Sequence, residues 1–355
     1  MWEILLFISL LAGQLGRIQI TSDIAIYFHD TVIFCYLLLH VQFKKVEFAK
    51  ALLLVFVVCL VSLIANFSRF ELSEIAVGLL YLLRFCMYTS VFFLVLQSKK
   101  TQSHWFHWLY FLGVGYAVTG FFQLLLYPNL RNISYLGWDP HYYRLFSTLF
   151  DPNFVGGIIV LCLFLGFYLL TITKSKFLVF ITQLVLLIAL LLTYSRSSFV
   201  ALIVGLIVYI VLTKKWIYII FLVLIPLVVL FFPSIGGIST DIGRMWSIIG
   251  RLDNSKEALN LFIHYPIFGN GFAMQRIDSS ILFILVTTGV IGIVAFTNLG
   301  IHLIRSGFCI TKQPLKAVYF SILTALIIHS MFVNSLFYPQ ILIWFWIFIG
   351  ITSRS

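Results

Sequence analysis

The sequence predicts an all-α polytopic membrane protein of about twelve transmembrane helices, forming one membrane domain over residues 1–355. Three observations lead there. Hydrophobic residues make up 62% of the chain and charged residues 10%, against about 25% charged in a soluble domain. Mean hydropathy is +1.08. The apolar stretches run on without alternation, as in LLLVFVVCLVSLIANF. A chain this poor in charge cannot cover a water-facing surface, so lipid is the solvent for most of it. In lipid every backbone N–H and C=O needs an internal partner, and continuous apolar runs meet that need as helices rather than barrel strands.

Apolar windows of near-spanning length fall at 1–16, 24–43, 51–67, 75–97, 104–127, 153–173, 177–194, 197–213, 216–233, 280–304, 315–334 and 337–352. The run Trp2–Ala12 lacks a basic flank and a small-residue cleavage pattern, so it is expected to be a retained first span. The cysteines at 35, 59, 86 and 162 lie in apolar runs and Cys309 in a connection placed inside, so no disulfide framework is expected.

Basic residues set the sidedness. Eleven of the twelve Lys occupy alternate connections: Lys44, Lys45, Lys50; Lys99, Lys100; Lys174, Lys176; Lys214, Lys215; Lys312, Lys316. The positive-inside rule makes that side cytoplasmic, with both termini inside. Eight of the eleven Arg lie opposite: Arg17, Arg69, Arg131, Arg144, Arg196, Arg244, Arg251 and Arg276. Outer Arg with almost no outer Lys points to selection for a planar fork that grips phosphate or carboxylate oxygens in bidentate fashion. Anionic lipid headgroups are the competing target. The net charge of +11 is therefore topogenic Lys plus outer Arg, and implies no nucleic-acid partner.

Two outer connections are too long for simple turns: 128–152, and 234–279. In the second, Met245, Ile248, Ile249 and Leu252 recur at helical spacing, and Arg244 and Arg251 stand two turns apart on one face. Asn254 with Glu257 reads as a capping box that opens a second helix, ended by Pro266, Gly269 and Gly271. Two amphipathic helices on the outer surface are expected. A third feature is the tight turn Thr193-Tyr194-Ser195-Arg196-Ser197-Ser198, which holds an Arg near the membrane plane as a lipid-linked phosphate would require.

These segments resemble the O-antigen polymerase and ligase superfamily (Wzy/WaaL-type). TYSRSSFVALIVG is similar to its Ser-Arg-Ser/Gly span start, and RLDNSKEALNLFIHYPIFGNGF to its Arg, amphipathic helix and Pro-x-x-Gly-x-Gly segment. DSSILFILVTTGVIG is similar to its His, Asn/Ser/Gln, nine-residue, Gly-x-x-Gly motif, with Ser279, Gly289 and Gly292 matching and Asp278 standing where ligases carry His. RLFSTLFDPNFVGG resembles the segment entering the sixth span, with Asp151, Pro152 and Asn153. The matches cover roughly residues 144–292.

The resemblance implies a membrane-embedded glycosyltransferase (GT-C-like) architecture and metal-independent transfer of glycan from undecaprenyl pyrophosphate, outside a bacterial cytoplasmic membrane. It assigns the pyrophosphate to Arg196 and to Arg251, or Arg244 in its place. Asp278 in the ligase His position favours a polymerase of surface-polysaccharide repeat units, O-antigen or capsule. A base near the acceptor oxygen is needed, and a carboxylate such as Asp278 serves. No conspicuous acid cluster offers a Mg²⁺ site, so Arg is the electrostatic clamp and no cofactor is expected. Further substrate contacts are expected from Arg144, Arg276, Asp151, Asn153, His264 and Tyr194, and sugar stacking from Trp138, Tyr142 and Tyr143. A chain-length regulator is left open as a protein partner.

Two alternatives stand beside this reading: a ligase that moves finished glycan to another acceptor, and a polysaccharide flippase. A flippase would be expected to use intramembrane charge, for which Asp30 and Arg84 are the candidates, unless they form a structural pair. The halves show no evident repeat, which counts against a carrier.

Overall fold

A computed structural model gives the architecture. The structure describes residues 2–354 apart from 22–23, 41–45, 47, 238–239, 242 and 244–245, and apart from the side chains of 246–248. Thirteen α-helices occur among the described residues: α1 Trp2–Ala12, α2 Phe28–His40, α3 Ala49–Ala65, α4 Leu72–Gln97, α5 Gln102–Leu126, α6 Pro152–Ile172, α7 Lys176–Thr193, α8 Arg196–Thr213, α9 Ile219–Phe231, α10 Trp246–His264, α11 Ser280–Phe308, α12 Gln313–Phe332 and α13 Pro339–Thr352. The protein is an all-α polytopic membrane protein. Seven helices (α4–α8, α11 and α12) are long and apolar enough to cross a membrane, and five further apolar helical segments are shorter. Each expected span coincides with one of these twelve, within a few residues at each end. The cysteines are free.

Burial follows the distribution of apolar residues around each helix. α13, apolar on every face, is buried from Gln340 to Thr352 and packs on α4 and α5, where Trp344 donates to the Leu109 carbonyl at 3.2 Å. α6 is buried over most of its length among α5, α7 and α12. A helix apolar all round belongs in the interior of such a bundle, and an aromatic there is core rather than interfacial belt. α9 buries no residue and carries Pro226 in its interior, which suits a peripheral position where the kink displaces nothing.

One end of the bundle gathers the chain termini with the Lys-bearing connections. Glu3 pairs with His104 at 3.0 Å, Gln102 donates to the Ile351 carbonyl at 3.1 Å, and Arg354 donates to Ser98 at 2.7 Å. His107 reaches Thr173 at 2.9 Å. Lys99, Lys100 and Lys174 flank these contacts. Lys44 and Lys45 lie outside the described residues.

Two elements depart from expectation. A short antiparallel hairpin, β1 Arg17–Gln19 with β2 Ala25–Tyr27, occupies what reads as the start of the second span. Arg84 and Asp30 hold it against α4: they pair at 2.7 Å, Arg84 donates to the Ala25 carbonyl, Tyr88 donates to Asp30, and the Tyr27 amide donates to Asp30 at 2.9 Å. These two charges form a structural pair. Second, α10 runs unbroken from Trp246 to His264, so Asn254 and Glu257 stand mid-helix and open no second helix. Of the expected first helix, Arg244 and Met245 lie outside the described residues.

Candidate active site

The first long connection is folded back on the bundle. The Leu130 amide donates to His141 O at 2.8 Å, the Tyr143 amide to Pro128 O at 2.9 Å and the Leu145 amide to Leu192 O at 2.8 Å. Gln123 Oε1 accepts from the amides of Phe146 and Ser147 at 3.0 and 3.2 Å. So anchored, the loop delivers Asp151 as the N-cap of α6, with Pro152 in the first turn and the Asn153 amide donating to the carboxylate at 2.6 Å.

Arg144 braces the α7–α8 turn. Its guanidinium is buried and donates to Thr193 O at 2.9 Å and Tyr194 O at 3.4 Å, carbonyls that a helix C-terminus leaves open. Tyr194 takes the left-handed conformation there (φ 49°), is fully buried, and donates its hydroxyl to Pro233 O at 2.8 Å. The serines beside Arg196 point inward. Ser195 Oγ donates to Asn153 Oδ1 at 3.0 Å, Ser198 Oγ lies 3.1 Å from His329 Nε2, and His329 Nδ1 lies 2.6 Å from Ser335 Oγ. This buried network wires α6, α8 and α12 together and fixes the position from which Arg196 projects.

Two cavities meet at this end. The larger, about 810 Å³, is lined from the first loop by Trp138, Asp139, His141, Arg144, Asp151 and Asn153, and from the second by Arg251, Asn254, Arg276 and Asp278. The smaller, about 460 Å³, brings Arg196 and Arg251 together with mostly apolar walls that include Val200, Leu252, Leu282, Met331 and Phe332. Arg251, Asn254, Ile277, Asp278 and Phe332 line both, so they form the partition. Across it Asn254 Nδ2 donates to Asp278 Oδ2 at 3.4 Å. Asp278 does not cap α11; Ser279 does, accepting from the Leu282 amide at 3.4 Å.

The outer Arg set is thereby sorted. Arg69 lies 3.5 Å over the Tyr265 ring and donates to Asn270 at 2.7 Å; Arg131 lies 4.0 Å over Tyr142; Arg17 lies 5.3 Å over Trp138. These three make intramolecular contacts and line neither cavity, whereas Arg196, Arg251 and Arg276 present to cavities and Arg144 does both. His264 is exposed, its Nδ1 2.8 Å from Asn260 O, and it lines neither cavity; nor does Tyr194. Trp138 lines the larger cavity, whereas Tyr142 and Tyr143 do not.

The chain also assembles an acid cluster that its sequence keeps apart. Asp139, His141 and Asp151 offer ligand atoms all within 4.8 Å of one another, a spacing that suits a metal ion. Burial pushes the Asp151 carboxyl up to about 6, with Asp139 adding to the rise and the Asn153 amide and Arg144 opposing it. Asp139, though exposed at its surface, is raised as well, by partial desolvation and then by the charge of Asp278. Asp139, His141, Asn254 and His329 were not candidates from the sequence: the first two lie in an irregular loop, Asn254 resembles a cap, and His329 is a lone His in an apolar run.

No curated protein matches the chain. Residues 181–297, from α7 into α11, match the family described as O-Antigen ligase, a stretch of roughly a third of the chain that holds Arg196, Arg251, Arg276 and Asp278 but not the first loop. That match supports a place in the Wzy/WaaL superfamily and an activity of the O-antigen ligase or polymerase type.

Proposed function

We propose that this protein polymerises surface-polysaccharide repeat units, moving glycan from an undecaprenyl-pyrophosphate-linked donor to a sugar hydroxyl of a lipid-linked acceptor outside the cytoplasmic membrane. The observation that carries the reading is the shared cavity of Arg196 and Arg251. Two guanidinium groups, from helices far apart in the chain, meet in a groove whose other walls are largely apolar. A diphosphate ester of a long prenyl alcohol has that chemistry: a doubly charged head beside a hydrocarbon tail. The head then stands at the partition, and the attached sugars fall into the larger polar cavity.

Glycosyl transfer leaves negative charge on the departing diphosphate. Two preorganised Arg forks facing that group in a largely apolar groove stabilise the charge as it develops. Asp278 faces both cavities and orients the acceptor hydroxyl. A ligase would share the donor groove and differ only in its acceptor; Asp278 in the ligase His position favours the polymerase. The Asp30–Arg84 pair, spent on holding the hairpin, weakens the flippase reading.

The test is the surface polysaccharide of a deletion strain. Single repeat units on the surface are the expected outcome. Loss of all surface glycan would replace the polymerase with a ligase or flippase.

A further inference from the structure

The acid cluster of the first loop lies outside the matched stretch and outside the donor clamp, yet it forms part of the wall of the larger cavity. Resting on the reading above, we propose that Asp151 is the base that takes the proton of the acceptor hydroxyl, with Asp139 and His141 as its positioning partners.

The geometry favours this over the other uses of the cluster. The three groups stand within 4.8 Å of one another and line the space assigned to sugar, a space that Arg251 and the partition also line. His141 Nδ1 faces Arg144 Nη1 at 3.4 Å. A ring nitrogen that faces a guanidinium N–H presents its lone pair there, which leaves the proton of the neutral ring on Nε2. A divalent cation would therefore meet one nitrogen turned to a fixed positive charge and one already protonated. A positioning role, in which the Nε2–H donates toward the carboxylates, needs no free lone pair and meets no such conflict.

The groups around Asp151 set its basicity. Asp139, His141 and Arg144 face it from the loop, Asn153 from α6, and Tyr338 from the start of α13; Arg251 and Asp278, which line the same cavity, act on Asp139. Burial and the Asp139 charge make Asp151 a stronger base than an ordinary carboxylate, while it stays ionised at neutral pH. In the step, the acceptor oxygen pair forms the new bond to the anomeric carbon. The bond from that carbon to the diphosphate oxygen breaks and its pair leaves on the diphosphate, held by Arg196 and Arg251. The hydroxyl proton passes to Asp151 and on by way of the exposed Asp139 to solvent.

The experiment uses the full chain in liposomes with a synthetic prenyl-diphosphate-linked repeat unit. Donor binding and transfer rate are followed separately across about pH 5 to 8. Asp151→Asn keeps the α6 cap, since Asn caps as well as Asp. It should bind donor as the wild type does and lose about 100-fold or more in transfer. The wild-type rate should rise through about pH 6 and level off. Asp139→Asn should keep donor binding and move that rise to lower pH, which a merely structural role would not do. Transfer that survives Asp151→Asn overturns the assignment alone. Wild-type transfer abolished by a chelator and restored by Mg²⁺ would make the cluster a metal site and overturn it too. Wild-type protein that neither binds nor transfers the donor would instead overturn the functional reading on which it rests.

Discussion

Asn270 donates its backbone N–H to the carbonyl of Val286 at 2.8 Å, in the place where Val290 would donate in an unbroken helix. α11 is interrupted at Gly289 (φ 67°), and the Val290 amide turns instead to Pro266 O at 2.9 Å. Ser62 Oγ takes the neighbouring Thr287 carbonyl at 2.5 Å. The Pro-x-x-Gly-x-Gly segment is thus spliced into a break in a spanning helix, and each side satisfies the backbone groups the other leaves open. A helix can break in lipid only where such partners are supplied.

Gly289→Ala should therefore be strongly destabilising. A Cβ there would meet Ile267 O at 2.2 Å, from a backbone conformation that L side chains rarely adopt. A loss of about 2 kcal/mol or more is expected, read as a lower melting temperature of the detergent-solubilised protein. Gly300→Ala, on the same helix with open space around it, is the control and should be neutral or stabilising by up to about 1 kcal/mol. Equal behaviour of the two variants would mean the break is not what holds the segment.

Arg196→Lys and Arg251→Lys should each lose about 2–4 kcal/mol of transition-state stabilisation, roughly 30- to 1000-fold in transfer rate, at normal protein levels. An ammonium keeps the charge and loses the fork. Arg69→Lys should do the reverse. Its guanidinium stacks on Tyr265 and bonds Asn66 at 2.5 Å and Asn270 at 2.7 Å, so the variant should be less stable with its donor affinity unchanged. Full polymer from both clamp variants would point to lipid anchoring instead.

Asp278→Asn should shorten or reduce the polymer without lowering stability, because Ser279 and not Asp278 caps α11. Ser279→Ala should give the complementary result, losing about 1 kcal/mol of stability. Thermal unfolding alongside polymer length separates the two roles. Unchanged polymer from Asp278→Asn would remove it from the reaction.

The sidedness rests on Lys asymmetry and has a direct check. In a cysteine-free background, single cysteines at Lys100 and Lys215 should be shielded from an impermeant reagent in intact cells. Cysteines at Asp139 and Lys256 should react. Labelling at all four positions would mean the span count is wrong, and the reversed pattern would overturn the orientation.

The helices were legible because each apolar run is long enough to force one, whatever packs beside it. The two Arg that meet at the smaller cavity were legible as candidates as well, since a tight Ser-Arg-Ser turn and an Arg on an amphipathic helix are local features. What stayed hidden depends on contacts between distant segments. Arg144 and Arg196 look alike in sequence, yet Arg144 is bonded to the carbonyls of Thr193 and Tyr194 at the larger cavity, while Arg196 shares the smaller one with Arg251. Gly289 reads as one half of a Gly-x-x-Gly pair, and only the docking of Pro266 and Ile267 shows that it breaks the helix. Asp139, His141 and Asp151 meet because the loop folds back through Leu130 and Leu145, bonds that no residue pattern announces.

The same loop yields a prediction about stability that needs no substrate. Asp151 ionises at about 6 in the folded protein, against its ordinary 3.8, because burial disfavours the carboxylate. A group whose folded pKa is raised contributes stability below its unfolded pKa and loses that contribution as pH rises through the folded value. Its share should therefore fall between about pH 4 and 6 and be gone above. Asn keeps the cap and carries no charge, so Asp151→Asn should melt higher than wild type near pH 8, and the gap should close toward pH 4. Asp139 shifts in the same direction, so some slope should survive in the variant. A gap that stays constant with pH, or an Asp151→Asn protein that melts lower at pH 8, would mean the half-buried carboxylate is not under strain. The expected pairing is a gain in stability with a loss of transfer, as when a protein keeps an unfavourably placed charge for the sake of its chemistry.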